Sequence, residues 1–143
     1  MANHWLLKTE PSTYGWDDLV REKTTVWDGV SNPVALRNLA AMKQGDDALI
    51  YHTGNVKAVV GLARVTKGAY PDPKAKDPKL LVAEIAPVRA LAAPITLAEI
   101  KADQTFADSP LVRQGRLSVV RLSDEQFARF DSGRPSEPPQ GAN

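Results

Sequence analysis

Four short stretches of this 143-residue chain carry side chains whose chemistry goes beyond packing. Trp27, Asp28 and Gly29 follow a β-branched run, with Asn32-Pro33 just after them. A tryptophan at the lip of a turn can be core filler. It can also be a wall on which a flat ring stacks while short polar neighbours hydrogen-bond the edge of that ring. Lys8, Thr9, Glu10 and Ser12 stand where an apolar run becomes a loop, and Tyr51, His52 and Thr53 stand at the end of another run. Polar side chains at strand ends converge on the mouths of barrels, where binding sites form. Tyr70 opens a Pro-, Lys- and Asp-rich segment that also holds Lys74, Lys76 and Lys79.

Each of these has a plain structural reading as well. Trp5 lies mid-strand and reads as core, and Trp16 starts a helix after a loop and reads as a hydrophobic staple. Trp27 stays open between core and wall. A lone His is often a satisfied structural residue, and Tyr70 before Pro71 can simply cover a loop.

Composition removes several classes of chemistry. The chain has no Cys, which excludes disulfides, thiolate nucleophiles and Cys-ligated metal. His4 and His52 are the only imidazoles, and their spacing supports no metal site, so neither metal nor cofactor is expected. There is no G-x-x-x-x-G-K-[ST], G-x-G-x-x-G, G-x-S-x-G or H-E-x-x-H. An enzyme on this sequence would need His52 as a general base with Glu10 or Asp28 in reach, acting on nucleic acid. A protein-interaction module is a third possibility. No apolar run reaches membrane-span length, and MANHWLLKTEP has no basic-then-apolar signal pattern, so a cytoplasmic setting without membrane is expected.

Net charge is +1, but it is unevenly spread. Residues 54–89 hold seven Lys/Arg against three Asp/Glu, a local excess of +4. A basic face of that kind can meet phosphates without an extreme overall charge, and it can equally be a solvated loop.

The elements that must position these residues follow from periodicity and turn chemistry. Residues 4–8 read as a buried strand, 9–16 as a loop broken by Pro11 and Gly15, and 16–22 as a short helix. Asn32 as cap and Pro33 as first helical residue open a helix that stops near Gly45. Strands follow at 47–54, 56–70 (with Gly61 at a bulge or bend) and 80–91. Thr96 and Glu99 form a capping box for a helix over 94–103. A helical turn at 109–115, a strand at 116–122 and a helix capped by Ser123 complete a domain over 1–130. Residues 131–143 are Pro/Gly/Ser-rich and read as a disordered tail. Consecutive strands joined by tight turns favour antiparallel pairing, hence an α+β fold with a mixed, small, partly closed barrel.

K-T-E-P-S at 8–12 and V-W-D-G-V at 26–30, together with I-Y-H-T-G at 50–54 and R-L-S-V-V-R-L at 116–122, resemble an EVE domain protein in order along the chain. The resemblance implies a PUA-like mixed-strand pseudo-barrel surrounded by short helices, related to YTH and ASCH domains. It implies a non-catalytic partner of DNA or RNA that takes a modified base, such as a modified cytosine or methyladenine, flipped into an aromatic pocket. On the same resemblance Trp27 is the stacking residue, with Tyr70 a candidate second wall. Lys8, Thr9 and Glu10 border the pocket, Asp28, Gly29 and Asn32 follow the Trp, and Tyr51 and His52 occupy a strand end beside it. Lys74, Lys76 and Lys79 are expected on the phosphate-facing rim. Ser31 departs from the family pattern, which carries a basic residue before Asn32.

Overall fold

The computed structural model describes residues 3–131. The expected tail therefore lies outside the described residues, apart from Asp131. Strand β1 (His4–Thr9) pairs in parallel with β3 (Asp47–His52) and antiparallel with β6 (Val119–Leu122). From β3 the antiparallel ladder continues through β4 (Ala58–Pro71) and β5 (Leu81–Thr96) to β2 (Thr25–Trp27). The strand order is β2-β5-β4-β3-β1-β6.

The sheet is not closed, because β2 and β6 pair on one side only. It is nevertheless curled. Helix α2 (Pro33–Ala40) packs against β6 at one edge and against β5 and β4 toward the other. In a flat sheet β5 and β6 would stand about 19 Å apart, at about 4.8 Å per strand. One helix about 10–12 Å across cannot touch both unless the sheet wraps around it. The implied pseudo-barrel thus exists as a wrapped, mostly antiparallel sheet with an open seam.

The parallel β1–β3 pair is buried, and both strands read as apolar runs for that reason. Asp46 anchors their start. It is 3% exposed and accepts hydrogen bonds from the Trp5 indole at 2.9 Å and from the backbone N–H of Asn3 and Lys43, each at 3.0 Å. Three donors satisfy a carboxylate that burial would otherwise penalise heavily.

Helix α1 (Trp16–Glu22) places Trp16 on the sheet rather than as a staple on its own helix. Opposite it the β3–β4 ladder shifts register between Ile50 and Tyr51, which makes Val60 the extra residue of a bulge ahead of Gly61. A Cβ on Gly61 would lie 2.5 Å from two ring carbons of Trp16. The glycine is there so that the indole can lie on the backbone.

Most other boundaries match the reading above, with three differences. Helix α2 stops at Ala40. Strand β5 runs on through Thr96, despite Pro94, because β4 offers partners at Ala58 and Val59. β6 begins at Val119, so Arg116–Ser118 lie outside it. The capping boxes at Thr96–Glu99, ahead of α3 (Leu97–Ala102), and at Ser123–Gln126, ahead of α5 (Asp124–Asp131), are both formed. Helix α4 (Pro110–Arg113) is a single turn, and Gln104–Phe106 adds an unexpected 3₁₀ turn.

Gly61→Ala is expected to cost about 1–3 kcal/mol, the usual penalty of overpacking against a rigid neighbour. The same substitution in a Trp16→Leu background should cost markedly less. Urea midpoints of the four proteins check this, and equal costs in both backgrounds would remove the indole as the reason for the glycine.

Candidate nucleic-acid interface

The open seam forms a cleft. One wall is β2 and the turn after it, from Thr25 to Val30, and the other is Lys8 and Thr9 of β1 with Ser118 just ahead of β6. Thr13 and Tyr14 close one end. The cavity is about 460 Å³, inside the roughly 300–1,000 Å³ range of small-molecule sites. The Lys8 N–H donates to the Ser118 carbonyl at 2.9 Å, so the second wall is held to β1.

Trp27 is only 8% exposed. It belongs to the core and turns the remainder of its surface to the cleft, which joins the two readings left open by sequence. Tyr14 meets it edge to face, with centroids 6.3 Å apart at 85°. The Tyr14 hydroxyl donates to Glu22 at 2.7 Å, and burial is the main cause that pushes its pKa up. Thr9 donates its hydroxyl to the Tyr14 carbonyl at 2.7 Å, so it positions Tyr14. Gly29 has φ +79°, a left-handed turn that glycine adopts at no steric cost. Asp28 stands exposed between Trp27 and Gly29 in the same wall.

Lys8 is shared by two cavities. It lines the cleft, and its other side lines a smaller cavity with Tyr51 and Thr53. Its ammonium donates to the Gly115 carbonyl at 2.8 Å and sits 5.5 Å from the Tyr51 ring centroid. Partial burial lowers its pKa by desolvation.

The remaining residues singled out by sequence do not line the cleft. Glu10 accepts from the Ser12 N–H at 3.2 Å and the Ser12 hydroxyl at 3.0 Å, bonds that lower its pKa. Asn32 caps α2, its carbonyl accepting from Val34 and Ala35 N–H at 2.9 and 3.1 Å. Tyr70 donates to Glu84 at 2.6 Å beneath the Lys67 ammonium, two strands from Trp27. Lys74, Lys76 and Lys79 sit on the β4–β5 loop. Since Trp27 faces Ala83 and Leu81 faces Pro71, that loop lies past the Trp27 end of the cleft. Tyr14, Thr13, Thr25 and Ser118 escaped the sequence reading. Tyr14 alone had a signal there, as an aromatic in the same loop as K-T-E-P-S.

His52 Nε2 accepts the Trp16 backbone N–H at 3.0 Å, which puts the proton of the neutral ring on Nδ1. Burial lowers its pKa, against weaker opposing effects of Asp17 and Glu10. Of the two carboxylates considered as partners of His52, Glu10 is near enough to affect its charge, but neither it nor His52 lines the cleft, and Asp28 lines the cleft without His52. Among the described residues, no three His, Asp or Glu side chains are grouped to hold a metal ion. No helix among them is long and apolar enough to cross a membrane.

Comparison with known proteins gives a consistent set of relatives. The EVE domain profile matches residues 3–130. Thymocyte nuclear protein 1 of Homo sapiens is 31% identical over 173 aligned positions, covering 96% of this chain and 76% of that protein. The crystal structure of human THYN1 protein in complex with 5-methylcytosine containing DNA matches with a TM-score of 0.86 at 30% identity, over 96% of this chain and 100% of that one. The NMR structure of Rpa0253 from Rhodopseudomonas palustris matches at 0.87 and 35% identity, over 96% and 97% of the two chains. ASCH from Zymomonas mobilis matches at 0.60 over 91% and 94%, and at 16% identity it shares the fold alone.

The burial of His52 makes stability depend on pH. The folded protein holds His52 below its ordinary value, so the unfolded chain takes the proton first. Stability is therefore full above about pH 6.5 and falls as pH drops from there toward the lowered folded value. His52→Gln keeps an acceptor and removes the titration. Its urea midpoint should fall less than the parent's between about pH 7.5 and 5, and parallel curves would show that His52 does not set the pH response.

Proposed function

This chain belongs to the EVE domain family, and from that premise we propose that it is a DNA-binding module whose cleft takes a modified base turned out of the helix. The observation that carries the reading is the cleft itself, an opening of base-compatible volume walled by Trp27 and Asp28. The DNA complex of human THYN1 supports the choice of polymer and suggests 5-methylcytosine as the base.

The chemistry of the lining suits that base. Turning a base out of the stack costs a few kcal/mol, and stacking on an aromatic offsets roughly 1–3 kcal/mol of it. The Asp28 carboxylate is an acceptor for the N4 amino group of cytosine. Val26 and Val30 line the same wall and offer apolar surface to a 5-methyl group. One methyl in apolar contact contributes about 0.8 kcal/mol, roughly a fourfold preference for the methylated base. Lys8 contributes positive charge from the opposite wall. Lys74, Lys76 and Lys79 belong to the outer rim, past the Trp27 end, where duplex phosphates run. Glu10, Asn32 and His52 support the walls in this reading. It is non-catalytic, because the histidine a general base would need is already bound to the Trp16 N–H.

Trp27 is a core residue, so Trp27→Leu is the fair test, retaining bulk while removing the π-face. Titration with a 5-methylcytosine duplex and its unmodified counterpart should show a loss of about tenfold to a hundredfold and no remaining preference for the methylated site. A folded variant with parental affinity and preference would sink the stacking role. Changing Lys74, Lys76 and Lys79 together to Gln should weaken both duplexes equally and flatten the log-affinity against log-salt slope by about 0.9 for each phosphate no longer neutralised. An overlay with the parent would make those lysines a solvated loop.

A further inference from the structure

The smaller cavity beyond Lys8 has no part in holding a base. At about 200 Å³ it falls below the roughly 300 Å³ at which small-molecule sites begin. Its charge is one-sided: Lys8, Lys57 and Lys101 line it, and no Asp or Glu does. The loop of Lys74, Lys76 and Lys79 is different, because Asp72 and Asp77 are interleaved with those lysines.

We propose that this cavity is a phosphate site, holding the backbone phosphodiester next to the base in the Trp27 cleft through Lys8, Lys57, Lys101 and the Tyr51 hydroxyl. The proposal rests on the base-binding reading above and adds a second subsite to it.

Tyr51 is the independent observation. It is 4% exposed, lines the cavity, and its hydroxyl has no hydrogen-bond partner among the described residues. Buried hydroxyls are normally satisfied, and one without a protein partner calls for an acceptor from outside the chain. Lys8 uses one ammonium proton on Gly115 and keeps two for another acceptor. The turn that carries Lys57 is set in a special shape, with Gly54 at φ +74° and Lys57 itself at φ +49°. The Lys57 carbonyl accepts the Leu97 N–H at 2.8 Å, which ties that turn to the start of the helix bearing Lys101. Glu10 approaches the rim at Gly54, where its carboxylate is engaged by Ser12 and Thr53. Because Lys8 borders both cavities, a ring in one and its phosphate in the other would flank a single ammonium.

The test uses the full chain with a 5-methylcytosine duplex and its unmodified counterpart, over a range of salt. Lys57→Gln/Lys101→Gln changes two exposed side chains, and Tyr51→Phe removes only the hydroxyl. The double variant should weaken both duplexes equally, by about tenfold at low salt, with a salt slope shallower by up to about 1.8 if each lysine neutralises one phosphate. Tyr51→Phe should weaken both about tenfold to a hundredfold, as expected for one hydrogen bond to a charged acceptor, with the salt slope unchanged. Parent-like affinity and slope in both variants, while Trp27→Leu still loses binding, would overturn the phosphate site and leave the base-binding reading standing. A parent protein that binds neither duplex would overturn that reading instead.

Discussion

The rest of the structure depends on a hydrogen-bonded ladder that stops one pair short of closing. A wrapped sheet with a missing ladder has two edges facing each other, each with unpaired N–H and C=O groups. Here the missing ladder would join β2, three residues long, to β6, which begins only at Val119. Helix α2 fills the space behind them and reaches both sides. The gap is therefore neither collapsed nor available to another strand along most of its length, and polar backbone, an indole and a lysine share its concave surface.

A cleft between two edges is useful only if both are held still. The Tyr14 loop is fastened at each end. Glu10 O accepts from the backbone of Thr13 and Tyr14, and Thr9 O accepts from the backbone of Thr53. Beyond Tyr14 the chain enters α1 under the grip of His52 on the Trp16 N–H, while the Trp16 ring rests on the Gly61 bulge. The residues that looked most catalytic in the sequence thus fasten the walls of the cleft. The pKa of Glu10 is lowered chiefly by the Ser12 N–H it accepts and that of His52 by burial, both structural sources of such shifts.

Much of this was legible in the sequence where local chemistry decides the outcome. Asn32-Pro33, Thr96-Glu99 and the Ser123 cap are capping patterns whose partners lie within a few residues, and they formed as read, with Gln126 as the partner of Ser123. The open seam was not legible, because whether β2 meets β6 depends on the curl of the whole sheet. Trp27 was recognisable as unusual from its turn neighbours, yet its double membership in core and cleft needed the packing. Tyr51 and His52, adjacent in sequence, point into different surroundings because strand neighbours alternate. Asp46 had no signal in the sequence, since two of its three donors, Asn3 and Trp5, come from a segment remote in sequence. The chain's family was recoverable from short motifs such as K-T-E-P-S, because those motifs hold the loop and strand end that border the cleft.

The pairing of β1 has a consequence for how the protein is made. The first strand of the chain takes its neighbours from β3 and from β6, so His4 waits for Leu122. Contacts spanning nearly the whole chain pay their loop-closure entropy late and slow the search for the native state. During synthesis β1 leaves the ribosome ahead of the other five strands and remains half-paired until β6 follows it, with Trp5, Leu6 and Leu7 lacking the partners of one edge. The wall that contains Ser118 arrives in that last step. A nascent chain consequently lacks one wall of the cleft, which is completed all at once, with β6.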